Sequence, residues 1–176
     1  MAAGAAAAAV PPEPASVLEY DVKAAFLYNF AKFVEWPPEG PGGQGEPLNL
    51  CIFGEDPFGS RLDDLVGGER IEGRRIAVRR IRRSSELRSC HIVFLSRAER
   101  RRVPEAVAAL RGRDVLTVGE SEGFADAGGI IQLFVEANKV RFAVNLDALE
   151  RTRLKVSSKL LRVARVVRPE GKSGGG

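Results

Sequence analysis

The sequence predicts an α/β fold: one domain with a mostly parallel, five- to six-stranded sheet, helices on both faces and an antiparallel edge hairpin. Apolar, strand-like runs alternate with helix-like segments along the 176 residues, as in parallel sheets with crossover helices. Two of the last runs are joined through Asn138-Lys139, which indicates a hairpin turn. A chain of this length buries one core. We therefore expect a leader at 1–16, a single domain at 17–167 and a disordered tail at 168–176.

The leader is rich in alanine and proline. Its small residues before a Pro-Pro break resemble the end of a secretory signal, but a basic n-region is missing and alanine alone makes a weak apolar segment. The leader is therefore either the remnant of a signal peptide or a disordered extension. No apolar run reaches the roughly 18 residues of a membrane-spanning helix, so we expect none in this chain.

The first helix is predicted between Val17 and Trp36, because its apolar residues recur at helical spacing. One stripe consists of Leu18, Val22, Phe26, Phe30 and Phe33, and a second of Leu27, Tyr28, Ala31 and Val34. A helix that is apolar around much of its circumference needs cover on two sides. The domain itself supplies that cover, or a protein partner or second subunit does. Pro37 ends the helix.

The remaining elements follow from short apolar runs and turn residues. Strands are predicted at Leu48–Phe53, Arg75–Ile81, His91–Leu95, Val115–Val118, Gly129–Val135 and Val140–Asn145. After the first of these, Asp56 is predicted to cap a helix that has Pro57 at its first position. Further helices are predicted at Glu99–Leu110 and over most of Leu146–Val167, with a break near Lys155–Ser158.

A small-ligand pocket is expected at the carboxyl ends of the strands, because open α/β sheets bind ligands there. The residues that follow the predicted strands and are candidates for such a pocket are Glu55, Asp56, Phe58, Ser96, Arg97, Glu120 and Phe124.

Few residue patterns in the chain support catalysis. His91 is the only histidine, and Cys90 beside it points to the opposite face of a strand, which separates a Cys-His pair. Ligand spacings for zinc or calcium and phosphate-binding glycine motifs are missing, so we expect no metal and no cofactor. A receiver domain is disfavoured because the strand ending at Leu95 offers no aspartate. An enzyme would have to use acids at the strand ends, such as Glu55 or Asp56, so we predict that the chain is not an enzyme.

Arginines are concentrated in two stretches of a chain whose net charge is only +4. The first holds Arg74, Arg75, Arg79, Arg80, Arg82 and Arg83, and the second holds Arg100, Arg101 and Arg102. Nucleic-acid binding is not expected, because interleaved aromatics and a reader motif are both missing. These stretches are either a solvated surface or a contact for an acidic protein or an anionic lipid surface.

Several segments, in order, resemble the YfiR family of periplasmic proteins. They are YDVKAAFLYNFAKFVEWP, LCIFGEDPFG, RIAVRR, CHIVFLS, GFADAGGIIQLF, VRFAVN and SSKLLRVA, which span about Tyr20 to Val167. The resemblance implies an exported, non-catalytic α/β protein, often dimeric, that binds and represses a membrane-bound diguanylate cyclase. Repression of this kind lowers cyclic di-GMP and limits biofilm formation.

The same resemblance implies a disulfide, since Cys51 and Cys90 fall in the segments where the family has one. A second cysteine pair of some members is missing here, so its redox role does not carry over. A flavodoxin-like strand order places the two strands side by side. Aligned strand ends, however, leave Cys90 about three residues out of register, roughly 10 Å, whereas a disulfide needs Cα atoms within about 7 Å. Two buried free thiols are the alternative.

The leading functional hypothesis is a periplasmic regulator that binds an inner-membrane signalling protein, either a diguanylate cyclase or a sensor kinase, and forms a homodimer. The candidate partner-binding residues lie on the first and last helices: Leu27, Tyr28, Leu160 and Leu161. The alternative is a periplasmic small-ligand sensor that acts on a receptor or histidine kinase; its ligand is not identifiable from the sequence.

Overall fold

The computed structural model describes residues 14–38 and 45–170. The helices are α1 (Pro14–Phe33), α2 (Arg61–Val66), α3 (Val103–Ala109), α4 (Leu146–Glu150) and α5 (Ser158–Val163). The strands are β1 (Val34–Glu35), β2 (Leu48–Phe53), β3 (Arg70–Ile71), β4 (Arg74–Ile81), β5 (Ile92–Leu95), β6 (Leu116–Gly119), β7 (Ile131–Glu136), β8 (Lys139–Asn145), β9 (Lys155–Val156) and β10 (Arg165–Val167). Two 3₁₀ segments lie at Ser84–Ser89 and Arg97–Arg102.

The main sheet confirms the predicted fold class. Its eight strands run in the order β10-β8-β7-β6-β5-β2-β4-β3, and the pairs from β7 through β4 are parallel. The predicted hairpin is β7–β8, which is antiparallel. The sheet is wider than expected because the short strands β3 and β10 extend its two edges. Strands of two or three residues leave too weak a pattern in the sequence to be recognised.

Residues on the central strands alternate between two apolar clusters, one on each face of the sheet. On β2, Leu50 and Ile52 pack with α1, α2, α4 and α5, and we call this face the α1 side. Cys51 and Phe53 on the same strand pack with α3 and with Leu87 of the first 3₁₀ segment, and we call this face the α3 side. The α1 side holds the larger of the two clusters.

The carboxyl-terminal segment departs from the predicted helix. The expected break is present, because Lys155–Val156 forms β9 and pairs with β1. Arg165–Val167, however, forms β10, parallel to β8, so the prediction of helix up to Val167 was wrong there. Two residues assigned to the tail are held by polar contacts to α4 and the residue after it: Arg168 pairs with Glu150, and Glu170 pairs with Arg151. Residues 171–176 lie outside the described residues.

Other boundaries also shift. No helix starts at Pro57; instead the Asp56 carboxylate accepts the Phe58 N–H at 2.8 Å, which closes a tight turn before α2. The helix predicted from Glu99 begins at Val103, with Pro104 in its first turn and a 3₁₀ segment before it. Helix α1 begins at Pro14, inside the segment assigned to the leader, and residues 1–13 lie outside the described residues.

Candidate functional site

A buried cluster of charged side chains lies where α1 crosses the carboxyl ends of β5 and β6. Lys23 of α1 is only 1% exposed, and its Nζ lies 2.6 Å from Glu120 Oε1 and 2.6 Å from Glu19 Oε2. Glu120 directly follows β6. An unpaired charge at this depth would be strongly destabilising, so each group depends on the other.

The second oxygen of Glu120 is also satisfied. It accepts the Tyr20 hydroxyl at 2.9 Å and the backbone N–H of Arg97 at 2.9 Å. Burial raises the pKa of Tyr20 above its ordinary value, and the negative charge of Glu120 raises it further. The Tyr20 hydroxyl therefore stays protonated and donates. Lys23, Tyr20 and the Arg97 amide together give both oxygens of this carboxylate a hydrogen-bond partner.

Two more of the predicted ligand residues lie beneath the same part of α1. Phe58 is fully buried, with its ring centroid 5.6 Å from that of Tyr20 and 4.9 Å from that of Phe94. Ser96 is also buried, and within the described part of the chain its Oγ finds no hydrogen-bond partner. The expected binding crevice is thus filled on this side by side chains of α1.

The remaining predicted ligand residues are elsewhere. Glu55 is exposed and lines a polar depression of about 380 Å³ with Gly54, Glu99, Arg82 and Arg102. Asp56 pairs with Arg80 at 2.8 Å.

Phe124 is buried on the α3 side between Gly119 and Gly129, where an added Cβ would come within 2.3 Å and 2.1 Å of its ring. The two glycines are therefore required by the close approach of that ring. The structure does not bring the predicted ligand residues into one pocket.

Sequence reasoning selected Glu120 and Arg97 but missed Tyr20 and Lys23. A usable signal was present: Tyr20, Lys23 and Leu27 are spaced for one face of the helix, so the lysine interrupts an otherwise apolar, buried stripe. A lysine at such a position needs an acidic partner.

Cys51 and Cys90 form a disulfide with Cα atoms 6.0 Å apart. The predicted register offset is real, because Cys51 lies opposite Val93 and not opposite Cys90. The cysteines still meet because β2 lies between β4 and β5 in the sheet, so the chain from β4 to β5 must cross β2. This crossover carries Cys90 over β2 on the α3 side, where the Cys51 side chain points.

The predicted partner-binding residues divide into core and surface. Leu27 is 0% and Leu160 6% exposed, so both belong to the core of the α1 side, whereas Tyr28 and Leu161 are partly buried. The Tyr28 hydroxyl donates to Glu69 at 3.0 Å, and this bond raises the pKa of Tyr28.

The large apolar side chains exposed on α1 and α2 are Leu18, Val22 and Leu65, and we call them the α1–α2 apolar surface. The sequence makes Leu27 a surface candidate because a helix that is apolar all round does not reveal which stripe faces the sheet.

The contacts of His91 indicate a structural role. It is fully buried, and its Nδ1 accepts the Asn49 N–H at 2.9 Å while its carbonyl accepts the Trp36 indole N–H at 3.0 Å. In the described part of the chain, the side chains that commonly ligate metals form no group of three able to hold an ion. The helices described here include none with the length and hydropathy to cross a membrane.

A family model described as YfiR/HmsC-like matches residues 20–165. The matched range contains both cysteines and, from Tyr20 onward, the charged residues buried beneath α1.

Proposed function

The chain belongs to the YfiR/HmsC-like family, and on that basis we propose that it is a non-enzymatic periplasmic protein that binds and represses a membrane-bound diguanylate cyclase. Membership at this level supports a regulatory protein of the periplasm.

The observation that carries the proposal is the filled crevice under α1. The carboxylate best placed for chemistry at the strand ends, Glu120, is covered by α1 and held by Lys23, Tyr20 and the Arg97 amide. A substrate would have to displace a helix and break a buried ion pair to reach it. The exposed surface of the domain remains available for contacts, as expected of a protein that acts by binding another protein.

The disulfide supports a periplasmic location. Disulfides persist in oxidising environments such as the periplasm and are rare in the bacterial cytosol. Cys51 and Cys90 are both fully buried, so their bond is shielded from soluble thiols and suits a structural role.

We assign the partner contact to the α1–α2 apolar surface. Leu18 is 63% and Val22 43% exposed, and they lie one turn apart on α1. Helix α2 packs beside α1 through Leu62 and Val66. The exposed Arg61–Asp21 ion pair joins the two helices at 3.0 Å, and Leu65, 37% exposed, follows Arg61 by one turn. Neighbouring exposed apolar side chains on packed helices are typical of protein-binding surfaces. A second copy of the chain would compete for the same surface.

The test is co-expression with a membrane-bound diguanylate cyclase encoded beside this chain, with cellular cyclic di-GMP as the readout. The exported wild-type chain is expected to lower cyclic di-GMP. The variant Leu18→Glu/Val22→Glu is expected to abolish that effect while the protein stays folded, because both side chains already face solvent. Co-purification of the cyclase with the wild-type chain reports binding separately.

Val163→Glu is the matched control, since Val163 is 65% exposed but lies on α5. This variant should repress as the wild type does. Unchanged cyclic di-GMP in cells that contain folded, exported wild-type chain would refute the proposed function. Equal loss of repression in the control would refute the assigned surface.

A further inference from the structure

Most arginines of the two stretches form one surface in the fold. Arg74 and Arg80 are not part of it, because they face the α1 side, where Arg80 pairs with Asp56 and Asp63. Arg102, at the end of the second 3₁₀ segment, donates from Nη2 to the carbonyl of Arg82 at 2.7 Å. Its guanidinium also lies 4.1 Å from the ring centroid of Phe53, which faces the α3 side. These contacts bring the residues before α3 against the end of β4. Two clusters that are separate along the chain are thereby adjacent.

The crossover from β4 to β5 adds to this surface. Arg79 faces the same side as Cys51, its partner in the sheet, and donates to Ser89 Oγ in the crossover at 2.6 Å. Arg75 lies four residues before Arg79 on β4, so its side chain points to the same side of the sheet. The exposed members of this surface, which we call the arginine face, are Arg75, Arg82, Arg83, Arg88, Arg100 and Arg101.

The charge on this face is largely uncompensated. From Arg75 to Glu105, leaving out Arg80, which pairs with Asp56 and Asp63 on the other face, the sequence has nine arginines and three glutamates. That surplus is greater than the +4 of the whole chain, so the rest of the protein is net acidic. Glu99 and Glu105 lie beside Arg102, and Glu86 accepts the backbone N–H of Arg82. Across residues 14–38 and 45–170, no carboxylate forms an ion pair with any member of the arginine face.

We propose that the arginine face docks the protein on an anionic lipid surface. Protein-binding sites centre on apolar or aromatic anchors, whereas the large apolar side chains exposed in the described residues lie elsewhere: Leu18, Val22, Leu65, Val135, Val163 and Val166. A field of exposed arginines without such an anchor fits a layer of phosphate headgroups, which attracts basic residues without requiring a shaped pocket. Arginine also pairs with phosphate through two parallel hydrogen bonds.

The docked orientation has a consequence that rests on the proposed function. The arginine face is on the α3 side, and the α1–α2 apolar surface is on the opposite face of the sheet. A chain that lies on the membrane through its arginines therefore turns the α1–α2 apolar surface away from the lipid, toward the part of a membrane enzyme that projects from the bilayer.

The test measures binding of the purified chain to vesicles by co-sedimentation. Wild-type protein is expected to bind vesicles of phosphatidylcholine mixed with phosphatidylglycerol and to dissociate from them at high salt. It is not expected to bind vesicles of pure phosphatidylcholine. Each arginine near an anionic surface contributes roughly fivefold to binding. The variant Arg82→Gln/Arg83→Gln/Arg88→Gln should therefore bind more than tenfold more weakly.

The matched control is Arg111→Gln/Arg113→Gln/Arg162→Gln, which removes the same charge from exposed positions outside the arginine face. It should bind the mixed vesicles within about threefold of wild type, and circular dichroism should show both variants folded. Equal weakening of both variants, or no binding by wild type at low salt, would overturn the proposal. Tighter binding to soluble polyglutamate than to the vesicles at equal charge would assign the face to an acidic protein instead. Because no cyclase is present, failure here leaves the repression assay unaffected.

Discussion

The two faces of the sheet are stabilised in different ways. On the α1 side, a large apolar cluster surrounds the buried ion pair of Lys23 and Glu120, and α1 is held by noncovalent contacts. On the α3 side, the cluster is smaller and the crossover is tied to β2 by the Cys51–Cys90 disulfide. A small cluster benefits most from a covalent link, since its apolar area alone contributes less. The comparison predicts that each face fails under a different perturbation.

The largest effect is expected from removal of the disulfide. The cysteines are 39 residues apart in sequence, and closing a loop of that length stabilises a fold by about 4 kcal/mol in the chain-entropy model. Cys51→Ala/Cys90→Ala should lower the free energy of unfolding by about that amount in urea titrations. Amide exchange should accelerate first in the crossover and α3. The reductant reaches the buried bond in the unfolded chain, so an unchanged urea midpoint in a wild-type titration brought to equilibrium with a reductant would contradict this assignment.

The next largest effect is expected from breaking the buried Lys23–Glu120 ion pair on the α1 side. Lys23→Met leaves Glu120 buried without its cation, and breaking a buried pair from one side costs about 3 kcal/mol. Lys23→Met/Glu120→Gln should be more stable than Lys23→Met alone, because the second change removes the stranded charge. Urea titrations of wild type, Lys23→Met, Glu120→Gln and the double variant measure this coupling. Lys32→Met, on an exposed residue of the same helix, is the control and should change stability little. A double variant whose loss of stability equals the sum of the two single losses would show that the two residues are not coupled.

The smallest effect is expected from the Arg80–Asp63 ion pair at the surface of the α1 side, and it depends on pH. Hydrogen bonds from Arg80 lower the pKa of Asp63 below its ordinary value of 3.8. A lowered carboxyl pKa contributes stability that is present above 3.8 and is lost as the pH falls through the folded-state value. Asp63→Asn should therefore flatten the acid limb of a melting-temperature profile slightly, since the pair is largely exposed. Asp64→Asn, at the exposed neighbouring residue, should leave that limb unchanged. An identical acid limb in Asp63→Asn and wild type would disprove the coupling.

The sequence predicted the fold class because the central strands are continuous apolar runs, and β2, β5 and β6 were all recognised within one or two residues. The short strands β1, β3, β9 and β10 were missed, and Val34–Glu35 was assigned to the first helix, since the formation of these strands depends on neighbours already in place. The candidate site was predicted in part. Its position at the strand ends follows from general sheet geometry, but the closing of that site by α1 depends on a contact between Tyr20 or Lys23 and Glu120 about a hundred residues away. No local pattern encodes such a pairing.

The disulfide also makes part of the chain a covalent ring. Running from Cys51 to Cys90, this ring includes α2 and the β3–β4 hairpin, whose tip at Glu72 and Gly73 is exposed and adopts positive φ values of 52° and 79°. A protease that cut this tip would open the ring without separating the two pieces, which would part only after reduction. The tip is at the edge strand of the sheet and distant in the strand order from β10. A reporter peptide could therefore be inserted at this tip, because the disulfide would keep the two parts of the chain covalently joined even if a protease cut the insert.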